Sequence, residues 1–273
     1  MTRSVERRTG PVAEQPHRAH SRQPGTGRRV SPIAGLRRYL AVRSARWGSP
    51  LGTSHPAFFQ AGPAAVLALC LLAAPAALAM QAVTREQALE ALAGSEVEAR
   101  RRGAAWLGET GTMSDVSTLV GALRDPDEVV RALAERSLWE VWSRTDDPEV
   151  DGLFQIGLEQ MNQRNAPAAI ATFSEIIKKK PEFAEGWNKR ATLYYLVGEY
   201  DKSLADCEEV LKRNPVHFGV LSGFGMIYLQ QNKPEKALDY FQRALQVNPN
   251  LGQIEATVEQ LKRVLIQRKR DTI

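Results

Sequence analysis

Pro181, Pro215 and Pro249 stand at a constant interval of 34 residues, in KKKPEFAEGW, KRNPVHFGVL and QVNPNLGQIE. Overlaying the three segments makes the small and apolar positions coincide. One column reads Gly157, Ala191, Gly225; a second Ala169, Ser203, Ala237; a third Phe173, Cys207, Phe241. Small residues let two paired helices approach, and the rings fill the gap between neighbouring pairs. A single pair of this length cannot bury its own apolar face, so a fixed beat of this kind demands stacking. The fold class this predicts is all-α, an α-solenoid of stacked antiparallel helix pairs, whose work is done by a surface.

Helix punctuation agrees with the beat. Asp147-Pro148-Glu149 offers an N-cap followed by proline at the first helical position, and Asn165 can open the next helix. Gly198, and Asn232-Lys233-Pro234 one unit later, end helices. These residues resemble the tetratricopeptide repeat (TPR). Trp187, Ala191, Tyr194, Gly198, Tyr200, Leu204 and Pro215 carry the likeness in the second unit. In the third it rests on Gly225, Tyr228, Ala237, Phe241, Ala244 and Pro249. Gly157, Ala169, Phe173 and Pro181 carry it in the first, where Gln160 replaces the usual tyrosine. Arg190, Ser203 and Val210 depart from the pattern, which would loosen the second unit's packing slightly. Three units over 148–250 are implied. An amphipathic capping helix at 251–268 follows, with Ile254, Val258, Leu261 and Leu265 on one face and cations at its C-terminal end, where they oppose the helix dipole.

Residues 84–145 are helical with a different period. Thr84-x-x-Gln87 and Ser95-x-x-Glu98 are capping-box patterns, and Asp125-Pro126-Asp127-Glu128 is a stronger helix opening. Arg100, Gly103 and Leu107 recur as Arg131, Ala134 and Leu138 at an interval of 31. This resembles a HEAT-like repeat and implies helix pairs at about 84–108 and 114–143. Trp106, Trp139 and Trp142 are expected to pack in the seams and at the junction with the next array. The short connection SRTDDPEV ties the two arrays into one continuous solenoid.

The charge is unevenly placed. Residues 1–79 hold 11 Arg, no Lys and two acids, while the rest carries 25 bases against 29 acids. The net +5 therefore belongs to the tail, and no nucleic-acid partner is expected, because phosphate binding needs cations gathered on the folded surface. Residues 1–60, rich in Arg, Pro, Gly and Ser, read as a disordered extension. Residues 61–79 read as a signal peptide, with an apolar core at Ala64–Leu72 and a small-x-small cleavage pattern at Ala77-Leu78-Ala79. A start nearer Arg43 or Arg46 would give that signal its short basic flank. Export to a bacterial periplasm or the extracellular space is the expected localisation. An uncleaved membrane anchor and an organelle lumen, reached by a bipartite targeting peptide, remain the alternatives.

Beyond the signal only Cys207 and His217 represent their residue types. That excludes an intramolecular disulfide and a His/Cys zinc cluster, and the thiol sits in a core column instead of an activating helix N-terminus. No Gly-rich phosphate loop and no nucleophile elbow occur. No catalytic residue, metal or cofactor is expected; acids such as those in Asp206-Cys207-Glu208-Glu209 have the spacing of a solvated helix face. HEAT-like repeats are similar to those of bilin lyases, so a solenoid-based enzyme is one alternative function and a membrane-anchored assembly factor another.

In tetratricopeptide arrays the first helix of each unit lines a concave groove. The resemblance thus implies a protein or peptide partner held by Phe154, Leu158, Met161 and Asn162 from the first unit. Glu185, Asn188, Thr192 and Tyr195 follow from the second, and Ser222, Met226 and Leu229 from the third. The subgroup that clamps C-terminal carboxylates needs cations in the groove. Here those positions hold Gly219 and Gly223 in one unit and Phe154 and Leu158 in another, so that partner class is not expected.

Overall fold

A computed structural model describes residues 83–271; the extension 1–60 and the apolar run 61–79 lie outside the described residues. Among the described residues there are eleven α-helices and no strand. They are α1 (Arg85–Ala93), α2 (Val97–Thr110), α3 (Val116–Ala122, entered through a 3₁₀ turn at Met113–Asp115), α4 (Glu128–Trp142), α5 (Pro148–Asn162), α6 (Ala166–Lys179), α7 (Ala184–Leu196), α8 (Tyr200–Arg213), α9 (Phe218–Gln230), α10 (Pro234–Val247) and α11 (Gly252–Asp271). Helices α5–α6, α7–α8 and α9–α10 form antiparallel pairs stacked side by side, so the expected helical solenoid is the fold.

The caps explain most of the boundaries. Thr84 and Gln87 form a reciprocal capping box, Asp127 accepts from the Val130 amide, Asp147 from those of Glu149 and Val150, and Asn165 from that of Ala168. The box expected from Ser95 and Glu98 does not form. Glu96 takes the N-cap position, the Glu98 carboxylate pairs with Arg101 at 2.6 Å, and the Ser95 carbonyl accepts from Arg100. Within each pair the chain reverses through a left-handed residue at Arg164, Gly198 or Asn232, with φ of 58°, 84° and 59°. Glycine takes that conformation without a Cβ penalty and asparagine tolerates it, whereas the arginine holds it at a cost of about 1 kcal/mol or more.

Packing follows the columns of the sequence. A Cβ on Gly157 would lie 2.6 Å from the Phe173 ring, and one on Gly225 2.4 Å from Phe241. The glycine and the ring are therefore two halves of one contact. In the second unit the pair becomes Ala191 with Cys207, a methyl and a thiol that together occupy less volume than the ring does elsewhere, and both residues line an open cleft. Ile254, Val258 and Leu261 of α11 close the exposed side of the third unit.

The departures in the second unit do not loosen it. Arg190 donates to both carboxylate oxygens of Asp206, each at 2.8 Å, and to Ser174 Oγ of the preceding pair. Asp206 is thus buried and paired, not part of a solvated face. Ser203 Oγ donates to the Ala191 carbonyl at 2.7 Å, and Val210 is wholly buried.

Upstream, the Asp-Pro-Asp turn that leads into α4 is gripped by α2. Arg100 binds Asp125 and Arg101 binds Asp127 in fork-to-fork pairs, while Arg131 donates to the carbonyls of Asp125 and Pro126. Helix α4 then returns onto the downstream array. Asn248 donates to Glu135, Asn250 to the Leu123 carbonyl, Arg131 to Asn250, and Arg124 to the Gln246 carbonyl. Phe218 of α9 is buried in the same apolar cluster as Leu138 and Trp142 of α4. Continuity through the SRTDDPEV connection did not reveal this contact, whose apolar part joins Phe218 to residues about 80 positions away and whose hydrogen bonds span more than a hundred.

Candidate partner-binding groove

The first helices of the three units, α5, α7 and α9, carry all the groove residues expected from the sequence. Between α7 and α9 lies a cleft of about 60 Å³, lined among others by Asn188, Thr192, Tyr195 and Met226. Those expected residues meet at one place. Phe154, Leu158, Met161 and Asn162 of α5 do not line it.

Several expectations of exposure fail, each for a visible reason. Phe154 is buried edge-on between the rings of Phe173 and Phe183, at centroid distances of 5.9 and 5.4 Å. Leu158 and Met161 are half-buried against the same cluster, and only Asn162 of the four is exposed. Ser222 is buried and its hydroxyl donates to the Phe218 carbonyl one turn back. Leu229 and Met226 belong to the core formed with Phe241 and Ile254, although Met226 also reaches the cleft wall. Glu185 is 0 % exposed. An amphipathic reading of one helix cannot separate the face turned to the groove from that turned to the next unit.

Glu185 anchors a buried polar knot behind the cleft. Its carboxylate accepts from the Asn188 amide at 3.0 Å and from His217 Nε2 at 2.6 Å, and Lys189 Nζ lies 3.3 Å away. His217 accepts the Val220 amide at Nδ1, as the N-cap of α9, so its proton rides on Nε2 and points at the acid. Burial pushes the Glu185 carboxyl up, but Lys189, His217 and Asn188 outweigh it and hold it at about 2. Lys189, 4 % exposed, is thus ion-paired with Glu185 inside the protein. Burial likewise pushes the Cys207 thiol up to about 12.

The end of the cleft is closed by a residue assigned to packing from the sequence. Trp139 of α4 lines it, stands edge-on to His217 and Phe218 at 5.3 and 5.5 Å, and lies under Lys189 Nζ at 5.8 Å. Trp142 stacks on His217 at 4.4 Å. A Cβ on Gly219 would come within 2.7 Å of the Trp139 ring, so the bare backbone there is what lets α4 dock. Trp139 and Leu196 were not among the expected groove residues, whereas Gly219 and Gly223 line the cleft at the positions where the resemblance located them as glycines in place of the clamp's cations.

The family comparison matches the tetratricopeptide repeat at residues 184–217 and 225–251. A TPR repeat-containing protein of Rhizobium etli is 35% identical over 126 residues, 46% of this chain and 61% of that protein. Hsp70-Hsp90 organizing protein 1 of Glycine max is 27% identical over 122 residues, 43% of this chain and 21% of that protein. The chain therefore spans less than two thirds of the length of either relative. Among solved structures, the Sgt2 TPR domain from Aspergillus fumigatus aligns with a TM-score of 0.43 at 20% identity, over 45% of this chain and 83% of that one.

Proposed function

Because this chain is a tetratricopeptide-repeat protein, with repeats matched at 184–217 and 225–251, we propose that it is a non-catalytic scaffold that holds a segment of a partner protein in the groove between α7 and α9. The observation that carries the reading is the cleft where Asn188, Thr192, Tyr195 and Met226 converge. Extended segments are held in such grooves by side-chain pockets on a rigid helical frame. The two residues best suited to catalysis are committed elsewhere. Burial pushes the Cys207 thiol up to about 12, so it stays protonated near neutral pH, and both ring nitrogens of His217 are engaged, one in capping α9 and one with Glu185. Export belongs to the same proposal and is supported by the apolar run and small-x-small pattern at 61–79. The upstream pairs, read as HEAT-like, would brace the groove through α4.

A photo-crosslinking residue placed at Thr192 tests the reading in the native compartment. We expect it to capture a discrete partner that the same probe at Asp239, exposed on the second helix of its unit, does not. Equal capture from both positions would refute the groove.

A further inference from the structure

Gly223 sits in the interior of α9, where glycine weakens a helix relative to alanine. Its two helical neighbours of the same type are explained by packing, since a Cβ would strike Trp139 at Gly219 and Phe241 at Gly225. At Gly223 a Cβ would meet nothing within 4 Å, and the residue is half-buried on the cleft wall. Among the described residues nothing reaches the space that the missing side chain leaves.

We propose that this space is a socket for one large aliphatic side chain, Leu, Ile or Met, on an internal segment of the partner, with Trp139 of α4 as its end wall. The proposal rests on the groove reading and names its partner chemistry. The walls are Trp139, Tyr195, Leu196, Met226 and Ile227 around Gly223. Among the described residues no formally charged side chain lines the socket, and the nearby Lys189 and Glu185 satisfy one another behind it. A charged anchor or a terminal carboxylate would lose its hydration and find no free counter-charge there, whereas an apolar side chain loses nothing. The size agrees. About 60 Å³ admits roughly four to six waters at about 10–15 Å³ each, comparable with one aliphatic side chain. The socket is composite: Tyr195, Leu196, Met226 and Ile227 come from the repeats and Trp139 from a helix outside them.

The test is to pan a phage-displayed random dodecapeptide library against the full chain and rank the selected peptides against Gly223→Leu and Gly223→Ala. Both substitutions grow into open space and favour the helix, so circular dichroism and the melting temperature should be kept or raised. The selected peptides should share one Leu, Ile or Met, lose at least tenfold in affinity for Gly223→Leu, and lose less for Gly223→Ala. Replacing the shared residue by Asp should abolish binding. Peptides that bind Gly223→Leu as well as the parent, or that share an acidic anchor, overturn the socket while leaving the groove reading intact. Failure to select any peptide on the parent chain overturns both.

Discussion

Single contacts decide whether the units stay in register, and the pair Gly225 and Phe241 shows it most clearly. Phe241 is 0 % exposed, and its ring fills the place where a Cβ on Gly225 would lie. Truncating Phe241 to Ala should cost about 3–5 kcal/mol in urea unfolding. Gly225→Ala should destabilise by about 1–3 kcal/mol, despite its better helix propensity, because the ring has nowhere to retreat. A stabilised Gly225→Ala would show that the contact is loose. Glu185 makes a pH prediction. Its folded carboxyl is held at about 2, below the ordinary 4.5, so the unfolded chain binds more protons between those values. The contribution is complete above about pH 4.5 and is lost as the pH falls toward 2. Glu185→Gln should flatten the dependence of stability on pH in that window. An unchanged slope would mean that the acid is not held by His217 and Lys189. At this scale the columns of small and large residues were legible, because close packing leaves its mark in residue volume. The Glu185 knot was not, since a carboxylate on an amphipathic helix looks the same whether it meets water or a buried lysine.

Elements were legible to the extent that their ends are encoded locally. Thr84, Asp127, Asp147 and Asn165 each cap the helix their type announced. Ser95 did not, because the helix starts one residue later with Glu96 as its N-cap and Arg101 takes the Glu98 carboxylate. No local signal announces that α4 lies back across the start of α9, where two tryptophans meet His217 and Phe218. Only tertiary structure brings such residues together. Trp142, buried and stacked, should cost about 3–5 kcal/mol when replaced by Ala. Gly219→Val should instead push the Trp139 ring away and release the end of α4, read as a shift in tryptophan fluorescence and faster amide exchange over 128–142. Unaltered exchange there would show that α4 does not depend on this approach.

At the scale of the whole molecule, a 34-residue beat builds a rigid frame, and an upstream helix walls one end of the groove that the frame presents. The sequence led to the groove through the family's geometry, yet buried residues such as Phe154 and Ser222 were assigned to it, because a repeat pattern gives the face of a helix and not the depth of its neighbours. Amide hydrogen exchange of the full chain, alone and with its captured partner, tests the central claim most directly. The account predicts protection concentrated in 184–196 and 218–230, with a smaller effect around Trp139. Protection confined to the second helices, 166–179, 200–213 and 234–247, would contradict it.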